Sequence, residues 1–265
     1  MNNLTTIVKN ILLINVGLYL IGSFLPFEMS QVFGVHYIFS DSFYIFQYVT
    51  YMWLHGGFYH LLGNMFAVFI FGPTLERLWG PKRFLTFYLI TGIGAGILFG
   101  IADTIEKGGL SSKTEAYISN PNPDDFYIYI HKYKTRRYDV VKLGDFADEY
   151  YDNANNENYI DQTRSIVQQI YDDLSNVPMI GASGAVFGIL MAFGMLFPNM
   201  ELLLLFPPIP IKAKYLVFFY GVFELYSEIN RSSGDNVAHL AHLGGMLIAF
   251  IMLKFFWENN NSNFY

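Results

Sequence analysis

Long apolar stretches with very few charged residues alternate along this chain with shorter polar stretches. A helix needs about 20 predominantly apolar residues to cross the hydrocarbon core of a bilayer. The pattern predicts six membrane-spanning helices, several of them short, at residues 11–26, 58–72, 84–102, 177–197, 215–229 and 237–257. We therefore expect an all-α membrane protein in which six transmembrane helices form one bundle.

The polar stretch between the third and fourth spans is much longer than the other connections, and its mixed charges are biased towards acidic residues. It predicts an insert outside the membrane, with a strand at 126–133, a loop at 153–158 and a short helix at 162–174. A disordered loop is the alternative, against which the many tyrosines argue. The predicted parts of the chain are spans one to three, the insert, and spans four to six with a short tail, at residues 1–102, 103–176 and 177–265.

The distribution of Lys and Arg predicts the orientation of the bundle, because short cytoplasmic loops carry an excess of both. The loop at 26–57 has neither residue, and the loop between spans five and six has only Arg231. These loops are expected outside, together with the insert, and both termini are expected in the cytoplasm. The basic residues of the opposite side are Lys9, Arg77, Lys82, Arg83, Lys212, Lys214 and Lys254.

Composition agrees with a membrane protein, since 53% of the residues are hydrophobic and only 14% are charged. The chain has no cysteine, which excludes disulfides, thiolate metal sites and a cysteine nucleophile. The net charge of -6 gives no support to a nucleic-acid partner. The first span lacks the features of a cleaved signal peptide, and the absence of a transit peptide favours a bacterial plasma membrane.

Four of the polar side chains in the apolar spans stand out: Ser183 in span four, His242 in span six, and His60 and Asn64 in span two. Such residues usually face one another or a water-filled cavity and mark a functional site. The three spans run in the same direction. Ser183 and His242 each lie five or six residues from the outer end, which is roughly 8 to 9 Å at helical rise, so we expect all four groups at one depth.

A serine and a histidine together can carry out nucleophilic catalysis, because imidazole accepts the hydroxyl proton near neutral pH. We predict Ser183 as nucleophile and His242 as base. The side chains of His60 and Asn64 and the backbone N–H of Ser183 are candidate donors to an oxyanion. Glu224 has a comparable depth, but the sequence does not place it beside His242, so we predict a dyad without a third acid.

Small residues on spans four and six predict close contact between their backbones. Gly245 and Ala249 follow His242 on its own helical face. Close packing there would bring the imidazole towards Ser183. The small residues of the two spans are Gly181, Gly184, Gly188, Gly245 and Ala249.

The motifs in these spans resemble those of the rhomboid intramembrane serine proteases. They are Gly-Ala-Ser-Gly-Ala-Val-Phe-Gly at 181–188, His-Leu-Leu-Gly-Asn at 60–64 and Ala-His-Leu-Gly-Gly at 241–245, with Trp-Leu-His-Gly-Gly at 53–57 and Glu-Arg-Leu-Trp-Gly at 76–80. The resemblance covers all six spans in order but not the insert. It implies a six-helix rhomboid-like bundle.

The resemblance also implies site roles: Ser183 as nucleophile, His242 as base, and His60 and Asn64 as oxyanion-hole donors. Many rhomboids have tyrosine four residues after the serine, where this chain has Phe187. We expect the phenylalanine ring to pack against the imidazole of His242 without the hydroxyl. The implied substrates are proteins with one transmembrane helix, unwound near the outer face and cut after a small residue.

Several alternatives stay open. His239 lies one turn before His242, although depth and the following glycine favour His242. The His60 and Asn64 pair can instead form a structural polar network. No metal or other cofactor is expected, because spans two and six offer no acidic residue beside their histidines. The alternative function is a non-catalytic relative that binds and routes membrane clients through the insert.

Overall fold

The computed structural model of the protein describes residues 4–133, 140–203, 208–230 and 237–257, and most of these residues are helical. The helices are α1 (Thr6–Gly22), α2 (Met29–Phe33), α3 (Gln47–Thr50), α4 (Phe58–Trp79), α5 (Pro81–Ser119), α6 (Pro123–Tyr133), α7 (Val140–Asp152), α8 (Glu157–Ser175), α9 (Ser183–Leu196), α10 (Ala213–Ile229) and α11 (His239–Ile251). A 3₁₀ turn at Tyr51–Trp53 follows α3, and a π-helical turn at Met252–Trp257 continues α11. The strands β1 (Glu201–Leu203) and β2 (Pro210–Lys212) pair antiparallel, with Glu201 opposite Lys212.

The protein is a multi-pass helical membrane protein. Three of its helical segments are long and apolar enough to cross a bilayer: α4, α5 and the segment from His239 to Trp257. The helices α1 and α9 are apolar but shorter, with 17 and 14 residues, and α10 has 17 residues. Each predicted span therefore overlaps a helix, while the number of helices that cross the whole bilayer stays a prediction.

Helix α9 lies in the middle of the bundle, where it packs against α4, α5, α10 and α11. Most of its residues are buried, from Gly184 to Leu190 without a break. A helix that is apolar on every side is expected to be surrounded by other helices. The first residue of α9, Ser183, is therefore held by a rigid core.

The buried carboxylate of Glu76, near the end of α4, stabilises the start of α1. It accepts hydrogen bonds from the backbone N–H groups of Ile7 at 3.0 Å and Val8 at 2.9 Å. The first N–H groups of a helix have no intrahelical acceptor, and a negative charge there also favours the helix dipole. Glu76 thus fixes α1 against α4.

The fourth predicted span is wrong at its beginning, because residues 177–182 are not helical and α9 starts at Ser183. Met179 pairs with Val35 in an isolated antiparallel bridge, and the N–H of Gly181 donates to the carbonyl of Tyr51 at 3.0 Å. These contacts hold the segment extended. The predicted depth of Ser183 was counted at helical rise from residue 177, and that rise does not apply to this segment.

The insert is folded as helices. Helix α5 runs past the predicted boundary at 102/103 to Ser119. Helix α8 packs against α5, and α6 packs against both α7 and α8. These four helices share a separate hydrophobic core formed by Leu110, Tyr117, Phe126, Tyr129, Ile130, Leu143, Ala147, Tyr150, Val167 and Ile170. The disordered alternative is wrong for the described part of the insert.

The predicted strand at 126–133 is a helix, α6. Its buried residues Phe126, Tyr129 and Ile130 follow the i, i+3, i+4 spacing of one helical face. Acidic residues in its first turn and basic residues in its last turn also suit the helix dipole. The helix predicted at 162–174 is confirmed within α8, and the loop predicted at 153–158 is confirmed up to Asn156, whose side chain caps α8.

Candidate active site

Ser183 is the first residue of α9 and is partly buried. The first backbone N–H groups of a helix lack intrahelical acceptors and carry the positive end of the helix dipole. The hydroxyl of Ser183 therefore lies at a helix end suited to stabilise negative charge. The sequence pattern did not predict this position, because residues 177–182 are as apolar as the helix that follows them.

Gly181 lies in the segment before α9, not on a helical packing stripe as predicted. Its φ of +134° is a backbone conformation that residues with a side chain rarely adopt. A β-carbon there would lie 2.8 Å from both Cε1 and Nε2 of His60 and 3.6 Å from the Oγ of Ser183. The imidazole of His60 and the hydroxyl of Ser183 therefore flank the same glycine.

Asn64 lies one turn after His60 on α4 and is buried, whereas His60 is exposed. Within the described part of the chain, the Nδ2 of Asn64 has no hydrogen-bond acceptor. Buried amide donors are nearly always satisfied in folded proteins. A free donor of this kind can therefore stabilise an oxyanion. The ring of His60 also meets the buried ring of His55 edge to face, with centroids 5.0 Å apart.

The predicted small residues bring α9 into close contact with two different helices. Gly245 of α11 lies directly against the carbonyl of Gly184. The α-carbons of Gly184 and Gly188 face α5 instead, where added β-carbons would lie 2.6 Å from the Cβ of Ala95 and 2.8 Å from the Cβ of Thr91. Ala249 is fully buried. Helices α9 and α11 thus approach each other closely at Gly184 and Gly245, and α5 provides a second tight contact.

Phe187 stacks on His242, as the sequence predicts. Their ring planes are 8° from parallel and their centroids are 4.2 Å apart. Tyr220 of α10 meets the ring of Phe187 edge to face with a centroid distance of 6.0 Å. Since Phe187 lies one turn after Ser183, His242 packs on the side of α9 that carries Ser183.

Glu224 of α10 is a site residue that the sequence analysis did not place. Its Oε2 lies 2.8 Å from the Nδ1 of His242 and 2.5 Å from the Nδ1 of His239. All three residues are buried. The sequence did indicate Glu224 as a carboxylate at comparable depth in span five. Its contact with His242 could not be predicted, because the apolar pattern does not give the rotation of α10 relative to α11.

This contact changes two predictions about chemistry. A carboxylate that accepts the Nδ1–H of His242 leaves the Nε2 lone pair of the same ring available as a base. The predicted dyad therefore has a carboxylate partner. Glu224 of span five also places an acidic residue beside the histidines of span six, so the reason for expecting no metal does not hold.

A cavity of about 890 Å³ opens beside the segment that precedes α9. Its lining joins α1, the loop at 54–56, the end of α8 and Ile180, and it includes the acidic residues Glu28, Asp172 and Asp173. Ser183 and His242 are not part of this lining. The cavity thus lies next to the predicted site, on the side of His55.

The sequence also matches known proteins. A family model described as the Rhomboid domain matches residues 42–118 and 162–259 and leaves out 119–161, most of the insert. RHOMBOID-like protein 6, mitochondrial, of Arabidopsis thaliana is 52% identical over 50 residues, which are 19% of this chain and 16% of that protein. RHOMBOID-like protein 12, mitochondrial, of the same plant is 24% identical over 194 residues, 72% of this chain and 40% of the relative.

A bacterial relative has a similar local match. The protein YdcA of Bacillus subtilis (strain 168), provisionally named a rhomboid protease, is 49% identical over 45 residues, 17% of this chain and 23% of the relative. In each of these three cases the chain matches less than half of the relative's length.

Proposed function

Because the chain belongs to the rhomboid family, which includes serine proteases that act on membrane proteins within the bilayer, we propose that it is an intramembrane serine endopeptidase. The nucleophile is Ser183 and the base is His242. The observation that carries the proposal is the arrangement around the start of α9. Ser183 begins the helix, Phe187 one turn later stacks on His242, and Glu224 accepts a hydrogen bond from the Nδ1 of that imidazole.

The reaction begins when the Oγ of Ser183 attacks the carbonyl carbon of the scissile peptide bond and its proton moves to the Nε2 of His242. The carbon–nitrogen bond then breaks, and the Nε2–H returns its proton to the leaving amine. Water, deprotonated by the same nitrogen, hydrolyses the acyl-enzyme and releases Ser183. Throughout, the carboxylate of Glu224 holds the ring and stabilises the imidazolium that forms.

The oxyanion of the tetrahedral intermediate needs donors that are already in place. The backbone N–H of Ser183 lies in the first turn of α9, where N–H groups have no intrahelical acceptor. The Nδ2 of Asn64 is buried without an acceptor in the described part of the chain, and His60 flanks Gly181 beside Ser183. These three groups are the proposed oxyanion hole.

The proposed substrates are membrane proteins with one transmembrane helix, cut near the outer face after a small residue. A peptide bond within a helix is hydrogen-bonded and shielded, so the substrate must unwind locally before attack. The proposed path to the site passes between residues 215–236 and the loop at 26–57. Residues 231–236, including Arg231, lie outside the described ranges.

The proposed location is a bacterial plasma membrane, with both termini in the cytoplasm and the insert at 103–176 outside. The alternation of Lys and Arg along the chain supports this orientation. We also propose that the chain has three parts: the membrane helices of 1–102, the external insert at 103–176, and the membrane helices of 177–265 with a short tail. Two Arabidopsis relatives are named as mitochondrial, so the type of membrane does not follow from family membership.

The direct test uses the purified protein in detergent with a single-span reporter and a fluorophosphonate probe. We expect wild-type protein to cleave the reporter and to be labelled covalently. Ser183→Ala is expected to do neither while its thermal unfolding curve stays unchanged. Equal cleavage or labelling in this variant would contradict the proposal. Reporter binding without cleavage or labelling by the wild type would favour the client-binding alternative.

A further inference from the structure

Glu224, His239 and His242 form a compact cluster of three potential metal ligands at one end of α10 and α11. One carboxylate oxygen and one nitrogen of each imidazole lie within 4.8 Å of one another, and all three residues are buried. The two nitrogens are the Nδ1 atoms, which lie 2.5 Å and 2.8 Å from the same Oε2. The cluster therefore offers two nitrogen ligands and one oxygen ligand that converge on one point.

This ligand set suits a divalent transition metal. Zn²⁺ accepts histidine nitrogen and carboxylate oxygen at about 2.0–2.2 Å, and two histidines with one glutamate are an established zinc ligand set. Ligand atoms around a tetrahedral zinc lie roughly 3.3 Å apart, as those bond lengths require. The observed hydrogen-bonded pairs would have to separate by less than about 1 Å. Mg²⁺ and Ca²⁺ prefer oxygen ligands and fit less well.

Charge also favours a cation at this position. Glu224 is buried, with a side chain only 6% exposed, and both of its ion-pair contacts among the described residues are with histidines. A buried carboxylate in an apolar bundle is costly unless a positive charge lies beside it. A divalent cation would neutralise the charge of that carboxylate.

We propose that Glu224, His239 and His242 bind Zn²⁺ or a similar transition-metal ion, and that the bound metal inhibits the enzyme. The reason lies in the two nitrogens of His242. When its Nδ1–H donates to Glu224, the Nε2 lone pair is free to accept a proton. When the Nδ1 lone pair binds a metal, the neutral ring carries its proton on Nε2 and cannot deprotonate Ser183.

The inhibitory part of this inference rests on the proposed protease function, whereas metal binding does not. The experiment therefore measures both. Full-length protein is purified in detergent without a polyhistidine tag and stripped with EDTA. Co²⁺ binding is then followed by its visible absorption and Zn²⁺ binding by calorimetry. Reporter cleavage is measured on the same samples.

His239→Gln is the decisive variant because it removes one ligand and leaves the contact between Glu224 and His242. His131→Gln is the matched control, since His131 is exposed on α6 in the insert. We expect one metal ion per wild-type chain, unchanged binding in His131→Gln, and affinity at least about tenfold weaker in His239→Gln. Wild-type cleavage should stop with zinc and return with EDTA, while His239→Gln should cleave without metal and resist the same zinc concentration.

Each other outcome overturns part of the inference. No metal binding, or equal binding by His239→Gln, rules out the site. Binding without inhibition, or cleavage that requires zinc, rules out the inhibitory role. Metal-free wild-type protein that does not cleave any reporter counts against the proposed protease function, and the Co²⁺ spectrum then still decides whether the site exists.

Discussion

The α-carbon of Gly245 lies so close to the carbonyl oxygen of Gly184 that a β-carbon on Gly245 would be 1.9 Å from that oxygen. No side chain fits there unless α9 and α11 move apart. Because His242 lies on α11 and Ser183 begins α9, this contact sets the separation of the two proposed catalytic residues.

Gly245→Ala is expected to lower both stability and cleavage, because the added methyl group separates α9 from α11. Overpacking in a dense core typically costs about 1–3 kcal/mol. Gly63→Ala is the matched control, since Gly63 lies on membrane helix α4 with no atom near its missing β-carbon. Thermal unfolding in detergent and reporter cleavage should both change for Gly245→Ala only. If Gly245→Ala unfolds and cleaves like the wild type, the close contact between Gly245 and Gly184 is contradicted.

Glu224→Gln tests whether the carboxylate supports the base. The amide keeps the shape of the side chain but removes the charge that stabilises a protonated His242. A positioned base contributes about 10²- to 10⁴-fold to a rate, and we expect kcat to fall by at least about tenfold with little change in KM. Kinetics are measured in EDTA over a range of pH. An unchanged kcat at every pH would instead support a catalytic dyad of Ser183 and His242 in which Glu224 has no role.

Asn64→Ala tests the proposed oxyanion hole. Loss of one such donor typically lowers kcat by about 10²- to 10³-fold, because the interaction forms in the transition state. Steady-state kinetics on the reporter, together with a thermal unfolding curve, distinguish the possible roles. A rise in KM alone, or a loss of stability in proportion to the loss of activity, would favour a structural polar network around Asn64.

The aromatic ring of Phe187 is expected to support both cleavage and stability by stacking on His242. Phe187→Ala removes the surface on which His242 stacks and leaves a cavity, so it should lower cleavage strongly and destabilise the protein by about 3–5 kcal/mol. Phe187→Tyr keeps the stack and restores the residue that many rhomboids have, so it should stay active. Cleavage and unfolding are compared for the two variants. Equal losses in both would argue against a role for the stack.

The orientation can be tested with introduced cysteines, because the chain has none of its own. Asp148→Cys places a thiol on an exposed position of the insert, and Lys82→Cys places one at the start of α5. In intact cells a membrane-impermeant maleimide should label the first variant and not the second. The reverse pattern would show that the insert faces the cytoplasm.

The sequence predicted the helices of the bundle well because long apolar segments have few alternatives to a helix in a membrane. Local spacing also placed the ring of Phe187 on the face of α9 that carries Ser183, since it lies one turn after the serine. These features depend on residues that are close together in the chain or on a strong apolar signal.

Long-range contacts decide what the sequence did not predict. The start of α9 at Ser183 depends on the bridge between Val35 and Met179, which lie far apart in the chain. The contact of Glu224 with His242 depends on how α10 is rotated against α11. In α6, tertiary packing of Phe126 against the insert core favours a helix where aromatic and β-branched residues suggest a strand.

Helix α5 connects the insert to the bundle as one continuous helix of 39 residues, about 58 Å long at helical rise. The hydrocarbon core of a bilayer is only about 30 Å thick, so nearly half of α5 extends beyond it. Leu110 and Tyr117 on this extension belong to the insert core, while Thr91 on the other half contacts Gly188 of α9. Because α5 is continuous, a tilt of the insert would also displace the half of α5 that contacts the helix carrying Ser183.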